Sequence, residues 1–228
     1  MLVKNWMSTG VMSIRASDSV QHALKLQKEG NVKILPVIDD GKLVGIVTDR
    51  DLKKASLPES IPLDISEAMY ITSKIKIHQV MTPYVFTISP DSTIDEAASI
   101  IVNNDISGLP VVDEERRIVG IITRSDILKT YMSITGVDKP GYQIAFLVKY
   151  IPGLIGEIIE LVSNYGGRIG YVLHSDARAP IGFRNAYMRI YDINSEQLPK
   201  LLKKMKEKCT LRYVIDPFLD KKEIYEEL

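Results

Sequence analysis

Residues 35–51 read LPVIDDGKLVGIVTDRD and residues 109–126 read LPVVDEERRIVGIITRSD. The two stretches are one pattern written twice: two apolar runs joined by a polar turn, then Thr-x-x-Asp. Each run is short and rich in β-branched residues, and each turn is polar, which predicts a β-hairpin in both places. Thr48 and Thr123 then stand where a strand gives way to a helix, with Asp51 and Asp126 three residues on.

The duplication extends well beyond the hairpins. Shifted by 74 residues, Met7, Val11, Ile14 and Ala23 fall on Met81, Val85, Ile88 and Ala97, and Leu35, Pro36, Val37 and Asp39 fall on Leu109, Pro110, Val111 and Asp113. One added residue in the second turn changes the shift to 75. Val44, Gly45, Ile46, Thr48 and Asp51 then meet Val119, Gly120, Ile121, Thr123 and Asp126. A single insertion in a turn is what a duplicated fold tolerates.

Each copy opens with a short extended run, VMSI or VFTI, that leads into a helix. Val20, Ala23 and Leu24, and likewise Ile94, Ala97, Ala98 and Ile101, recur at helical spacing. Capping-box spacing sets the helix starts at Asp18 with Gln21 and at Ser92 with Asp95. The unit is strand–helix–strand–strand–helix, about 50 residues, too small to bury a sufficient core alone, so the copies should pack on each other. Residues 53–79 between them hold two prolines and read as a connector with a short helix near residues 65–70.

Composition narrows the function classes. Of 228 residues, 45% are hydrophobic and 25% charged, the mixture of a soluble globular protein. Lys plus Arg and Asp plus Glu stand at 29 each, which argues against a general nucleic-acid binder. Cys209 is the single cysteine, so neither an internal disulfide nor a Cys-based metal site is expected. His22, His78 and His174 have no ligand spacing, and no metal is expected. The N-terminus lacks the apolar segment of a secretory signal, and no apolar run approaches a membrane span. A cytoplasmic location follows as the expectation.

The doubled corner carries the chemistry. A helix N-terminus favours a phosphate, and the Thr48 and Thr123 hydroxyls can donate to one. Asp51 and Asp126 present acceptors suited to a ribose cis-diol. Val11, Leu35 and Pro36 can form one apolar slot for a base, and Val85, Leu109 and Pro110 the other. Arg50 and Arg124 are nearby cations for phosphate charge, and Ser13 and Thr87 of the extended runs complete the candidate set. A plainer reading stays open beside this one: Thr-x-x-Asp is also a capping box, and capping alone explains both copies. Leu35, Pro36, Leu109 and Pro110 equally suit core and turn positions. The copies also differ, with Asp49 where Arg124 stands and Arg50 where Ser125 stands.

The quoted motifs resemble the CBS domain pair, across residues 1–132. The resemblance implies a first CBS unit at residues 1–58, a connector at 59–79 and a second unit at 80–135, forming a pseudo-twofold disc with clefts between facing sheets. It implies a regulatory ligand in those clefts: AMP, ADP or ATP, with NAD or S-adenosylmethionine as further candidates. No cofactor or catalytic residue is expected.

From residue 142 the pattern changes. YQIAFLVKY reads as a strand; Pro152 and Gly153 open a helix that Gly166 and Gly167 end. RIGYVLHSD and FRNAYMRIYD read as a strand pair, SEQLPKLLKKMKEK as an amphipathic helix and TLRYVIDP as a last strand. The order βαββαβ is the ferredoxin-like split βαβ, and over residues 140–217 it resembles the ACT domain. That resemblance implies a ligand at the first strand–helix junction, here Pro152, Gly153 and Leu154, although the acidic residue often found before the Pro-Gly is missing. Residues 218–228 read as a polar tail. The overall fold class is therefore α/β with α+β, a tandem CBS pair plus a ferredoxin-like ACT domain, an arrangement similar to the AcuB-like acetoin-utilisation group.

The resemblances imply a non-enzymatic regulatory protein that senses an adenosyl ligand, forms a homodimer and signals to a protein target, without nucleic acid or membrane. No Walker loop, GxGxxG or nucleophile–base pattern is present. A scaffold with empty clefts and an enzyme of unrecognised type remain the alternatives.

Overall fold

The computed structural model describes residues 1–56 and 65–225. Both predicted hairpins form. β1 (Ile34–Asp39) and β2 (Lys42–Thr48) pair antiparallel with Asp39 opposite Lys42. Asp40 and Gly41 sit at φ 48° and 73° between them, the left-handed pair that lets a two-residue turn match the twist of its strands. β3 (Gly108–Val112) and β4 (Ile118–Thr123) repeat the pairing. Their turn is one residue longer and is braced by Arg117, whose Nε donates to Asp113 at 2.7 Å.

The helices follow the apolar spacing. α1 (Val20–Gly30) buries Val20 and Ala23. α2 (Asp49–Ser56) continues directly from β2, and α3 (Ile65–Lys74) includes the short helix expected near residues 65–70. α4 (Ile94–Asn103) buries Ile94, Ala97 and Ile101, and α5 (Arg124–Thr135) continues from β4. Residues 57–64, which hold the end of the expected first unit and the start of the connector, lie outside the described residues.

Two local expectations need correction. The caps fall one residue later than the spacing suggested. Ser19 accepts from the His22 N–H at 3.2 Å, and Thr93 with Glu96 forms the reciprocal box. Asp18 instead accepts from the Arg15 N–H, which draws it into the preceding turn. The extended runs VMSI and VFTI also contribute less than a strand each. Ile14 and Ile88 make single parallel bridges to Val37 and Val111.

The chain divides into two compact units, Met1–Thr130 and Tyr131–Leu228. The first holds both repeats up to the middle of α5, and their cores are exchanged at one end. Val3, within a 3-10 turn at Val3–Asn5, is fully buried in the core of the second repeat with Ile88, Ile101, Leu109 and Ile122. Ile77 is its repeat equivalent and lies fully buried in the core of the first repeat with Ile14, Leu35, Val47 and Leu52. Backbone pairs stitch the exchange. Ser8 and Ile121 bond reciprocally at 2.9 and 3.0 Å, and Thr82 and Ile46 at the same two distances. The repeats therefore hold each other, which answers the small-core problem of a lone unit.

In the second unit, β5 (Tyr142–Lys149), α6 (Leu154–Asn164), β6 (Arg168–Ser175), β7 (Phe183–Tyr191), α7 (Gln197–Met205) and β8 (Thr210–Asp216) appear in the predicted order. The sheet order β6-β7-β5-β8 with every neighbour antiparallel is the split βαβ arrangement. Phe146, Ile144, Met188, Ile190, Ile158 and Leu201 form its core between one sheet face and the two helices. The tail departs from expectation. Residues 221–224 form a fifth strand, β9 (Lys221–Ile224), on the edge beside β8. Its side chains are all exposed, so no apolar alternation announced it; the turn before it is held by Asp216, which accepts from the Phe218 and Leu219 N–H groups.

Candidate functional site

Two cavities in the first unit are built from repeat-equivalent parts. The larger, cleft 1, has a volume of about 600 Å³ and is lined by Thr48, Asp49, Arg50, Asp51, Lys53 and Lys54 from the first repeat. Thr82, Tyr84, Val85 and Phe86, residues 105–108, and Arg124 close it from the second. Cleft 2, about 430 Å³, joins Ser8, Gly10, Val11 and Met12 and residues 31–34 to Thr123, Arg124, Ser125, Asp126 and Lys129. Each cleft thus takes its threonine–aspartate corner from one repeat and its extended run from the other. The exchange of Val3 and Ile77 produces this crossing, since the bridges at Thr82 and Ser8 lay each run across the opposite hairpin.

The corners are capping boxes, as the plainer reading held. The Thr48 N–H and hydroxyl both donate to Asp51 Oδ2, at 2.9 and 2.6 Å, and the Asp51 N–H donates back to the hydroxyl at 3.3 Å. Thr123 and Asp126 repeat this at 3.0, 2.6 and 3.3 Å. The arrangement commits each hydroxyl proton to the aspartate, so the threonines are not free donors for a phosphate. It leaves Oδ1 of each carboxylate as the oxygen that can face a ligand. Asp126 Oδ1 has Lys129 Nζ at 3.5 Å.

Arg124 ties the two clefts together. Its Nε donates to the Ile106 carbonyl and its Nη2 to Asp105 Oδ1, both at 2.8 Å. The hydrogen bond from Arg124, and then its charge, hold the Asp105 carboxyl below the usual carboxylate range, with a smaller contribution from Arg50. Asp105 adopts φ 48° just beyond α4, which presents its carboxylate to the cleft wall.

The predicted residues separate cleanly. Thr48, Arg50, Asp51, Val85 and Arg124 line cleft 1, and Val11, Thr123, Arg124 and Asp126 line cleft 2. Leu35 and Leu109 do not form slots: both are fully buried among core residues. Pro36 and Pro110 are buried within β1 and β3, where their carbonyls accept from Ile14 and Ile88. Ser13 lines neither cleft, and Thr87 lines a separate open depression with Glu96 and Ser99. An apolar motif residue beside a turn is equally suited to a wall or a core, and burial decided for the core.

Sequence reasoning missed Thr82, Tyr84, Phe86 and Lys54 in cleft 1, and Ser8, Met12, Lys33 and Lys129 in cleft 2. The signal was available in the repeat. Ser8, Met12 and Lys129 are the equivalents of Thr82, Phe86 and Lys54. The clefts differ where Tyr84 and Phe86, 90% and 52% exposed, face Gly10 and Met12 as counterparts.

In the second unit a cavity of about 260 Å³ lies at the start of α6. Pro152 and Gly153 line it with Lys149, Tyr150 and Arg184, whereas Leu154 packs toward the core. Gly153 has φ 85°, a conformation strained for any residue with a Cβ. The Arg184 guanidinium lies 3.7 Å from the Tyr150 ring centre. Among the described residues, no group of three or more His, Cys, Asp or Glu side chains is placed to hold a metal. No described helix is long and apolar enough to cross a membrane.

Comparison with known proteins matches the model of the CBS domain to residues 3–58 and 77–133. A CBS domain-containing protein of Dictyostelium discoideum is 34% identical over 134 residues, which cover 58% of this chain and 92% of that one. CBSX2 of Arabidopsis thaliana, whose structure is 29% identical with a TM-score of 0.51, is matched over 58% of this chain and 95% of its own; CBSX2 has also been solved in complex with AMP. A Vibrio cholerae structure named for acetoin utilization (AcuB) is 24% identical with a TM-score of 0.50, over 60% of this chain and 95% of that one, a likeness of fold alone. The family match ends at residue 133, before β5 begins.

Proposed function

This chain belongs to the CBS domain family, and from that premise we propose that it is a non-enzymatic regulatory protein that senses an adenine nucleotide or related adenosyl ligand. The observation that carries the reading is the paired construction of the two clefts: a carboxylate whose Oδ2 is taken by its cap and whose Oδ1 is left over, cations beside it, and a largely apolar run from the opposite repeat. Asp51 or Asp126 accepts from the ribose hydroxyls through Oδ1. Phosphate charge meets Arg50, Lys54 and Arg124 in cleft 1, or Lys33, Lys129 and Arg124 in cleft 2. The base lies along Val85 or Val11. Cleft 1 is the primary site, because Tyr84 and Phe86 offer aromatic faces to a purine where cleft 2 has Gly10 and Met12.

AMP, ADP, ATP, NAD and S-adenosylmethionine all share the adenosine that this geometry suits, and the ligand acts as a regulator rather than a cofactor. The second unit is an ACT-like domain of the AcuB-like arrangement. Its Pro152–Gly153 junction, with Arg184 behind it, is suited to a small carboxylate ligand such as an amino acid. The protein acts as a cytoplasmic homodimer and passes the bound state to a protein target through differential contacts in two conformations.

Isothermal titration of the full chain with each of the five adenosyl compounds tests the reading, together with native mass spectrometry of freshly purified protein. At least one compound should bind in the micromolar range or travel with the chain. Flat titrations across the panel and a bare native mass would leave the scaffold reading in its place.

A further inference from the structure

The two clefts are not independent, because they share a wall. Arg124, Ser107 and Ile34 line both. Arg124 is the one cation common to the two clefts among the described residues, and it is divided between them. Its backbone opens α5 beside Ser125 and Asp126 of cleft 2, while its guanidinium is held by Asp105 and the Ile106 carbonyl of cleft 1. The equivalent position in the first copy is Asp49, so no arginine stands at the matching corner, and Arg50 lines cleft 1 alone.

We propose that Arg124 couples the two clefts negatively, so that a phosphate-bearing ligand in one weakens binding in the other. The inference rests on the nucleotide reading above and adds a regulatory property to it. A guanidinium held bidentate by a phosphate in one cleft has its charge largely compensated there and offers only its remaining donors to a second phosphate. A phosphate in cleft 2 draws the half-exposed guanidinium from Asp105 and leaves cleft 1 with Asp49, Asp51 and Asp105 less well neutralised. A phosphate in cleft 1 fixes the guanidinium there and denies it to cleft 2. The effect is reciprocal, as any coupling of binding equilibria must be. In function, it spreads the response over a wider range of ligand concentration than two equal sites would.

The test is a cycle of titrations with AMP on the full chain. Val85→Trp fills cleft 1 and Val11→Trp fills cleft 2, so each variant reports the association constant of the remaining cleft. If either variant is misfolded by circular dichroism, Asp51→Ala or Asp126→Ala takes its place. In the wild type, the product of the two stepwise constants should fall at least about fivefold below the product of the two single-cleft constants, the lower end of usual coupling. Arg124→Gln, introduced into all three backgrounds, should bring the two products together. Equal products in the wild type overturn the coupling, as does an unchanged shortfall in the Arg124→Gln set, or a filled variant that no longer binds AMP because only one cleft is a site. Absence of AMP binding in every protein, with the rest of the adenosyl panel also silent, overturns the nucleotide reading itself. Two occupied but independent clefts overturn only the coupling.

Discussion

The Thr48 hydroxyl donates to Oδ2 of Asp51 at 2.6 Å, and the pair closes the first turn of α2 while standing in the wall of cleft 1. On the proposed reading, capping and ligand binding are divided between the two oxygens of one carboxylate. Oδ2 serves the helix, and Oδ1 is the oxygen proposed to meet the ligand. The Thr123 hydroxyl makes the same hydrogen bond to Asp126 Oδ2.

This division predicts that the two residues respond differently to substitution. Thr48→Val removes the two hydroxyl hydrogen bonds of the cap, keeps the backbone one to Asp51, and should cost about 1 kcal/mol of stability, read as a lower urea midpoint. AMP affinity should change by less than about threefold, because the hydroxyl proton was never available to the ligand.

Asp51→Ala loses both roles. Its stability falls by a similar amount, and binding at cleft 1 should weaken by about ten- to a hundredfold through loss of charged hydrogen bonds to the ribose. Asp126→Ala should reduce the ligand-induced thermal shift less than Asp51→Ala does, if cleft 1 is the primary site. Equal thermal shifts in wild type and both variants would remove the aspartates from the binding site.

Leu35→Ala and Leu109→Ala act on the cores. Both side chains are fully buried, and truncation should cost about 2–5 kcal/mol in chemical denaturation. In native conditions the surviving folded fraction should keep its ligand affinity, since neither residue lines a cleft.

Gly45 and Gly120 permit the exchanged segments to approach. A Cβ on Gly45 would stand 2.6 Å from Met81 Sδ and 3.2 Å from the Thr82 carbonyl; on Gly120 it would meet Met7 Sδ and stand 3.1 Å from the Ser8 carbonyl. The methionines can swing aside, but the carbonyls are part of the bridges that cross the repeats. Gly45→Ala and Gly120→Ala should each destabilise the first unit by about 1–3 kcal/mol, and hydrogen exchange at Ile46 or Ile121 should accelerate.

Burial pushes the Cys209 thiol up to about 12 from an ordinary value near 9. Below pH 9 the thiol is protonated in both folded and unfolded chains, and its full contribution is present. Between pH 9 and 12 the unfolded chain ionises while the folded one does not, so stability falls as pH rises through this window. Cys209→Ala should flatten that part of the stability profile, and at pH 8 a thiol reagent should label the wild type only after denaturant is added.

The hairpins, the helices and the duplication were legible in the sequence because each depends on local spacing: β-branched runs around a polar turn, apolar residues at helical intervals, and identities at a fixed shift. The paired corners were legible for the same reason. Tertiary structure alone decided which corner meets which run. Val3 and Ile77 hold equivalent positions in the repeat and are both apolar and β-branched, so no pattern in the chain distinguishes exchanged packing from unexchanged packing. It also decided that Leu35 and Leu109 are core rather than cleft, since local sequence does not say which side of a hairpin is covered. Arg124 belongs to both clefts for a related reason: a side chain that reaches across a shared wall is a property of the assembled repeats, which no single copy of the motif contains.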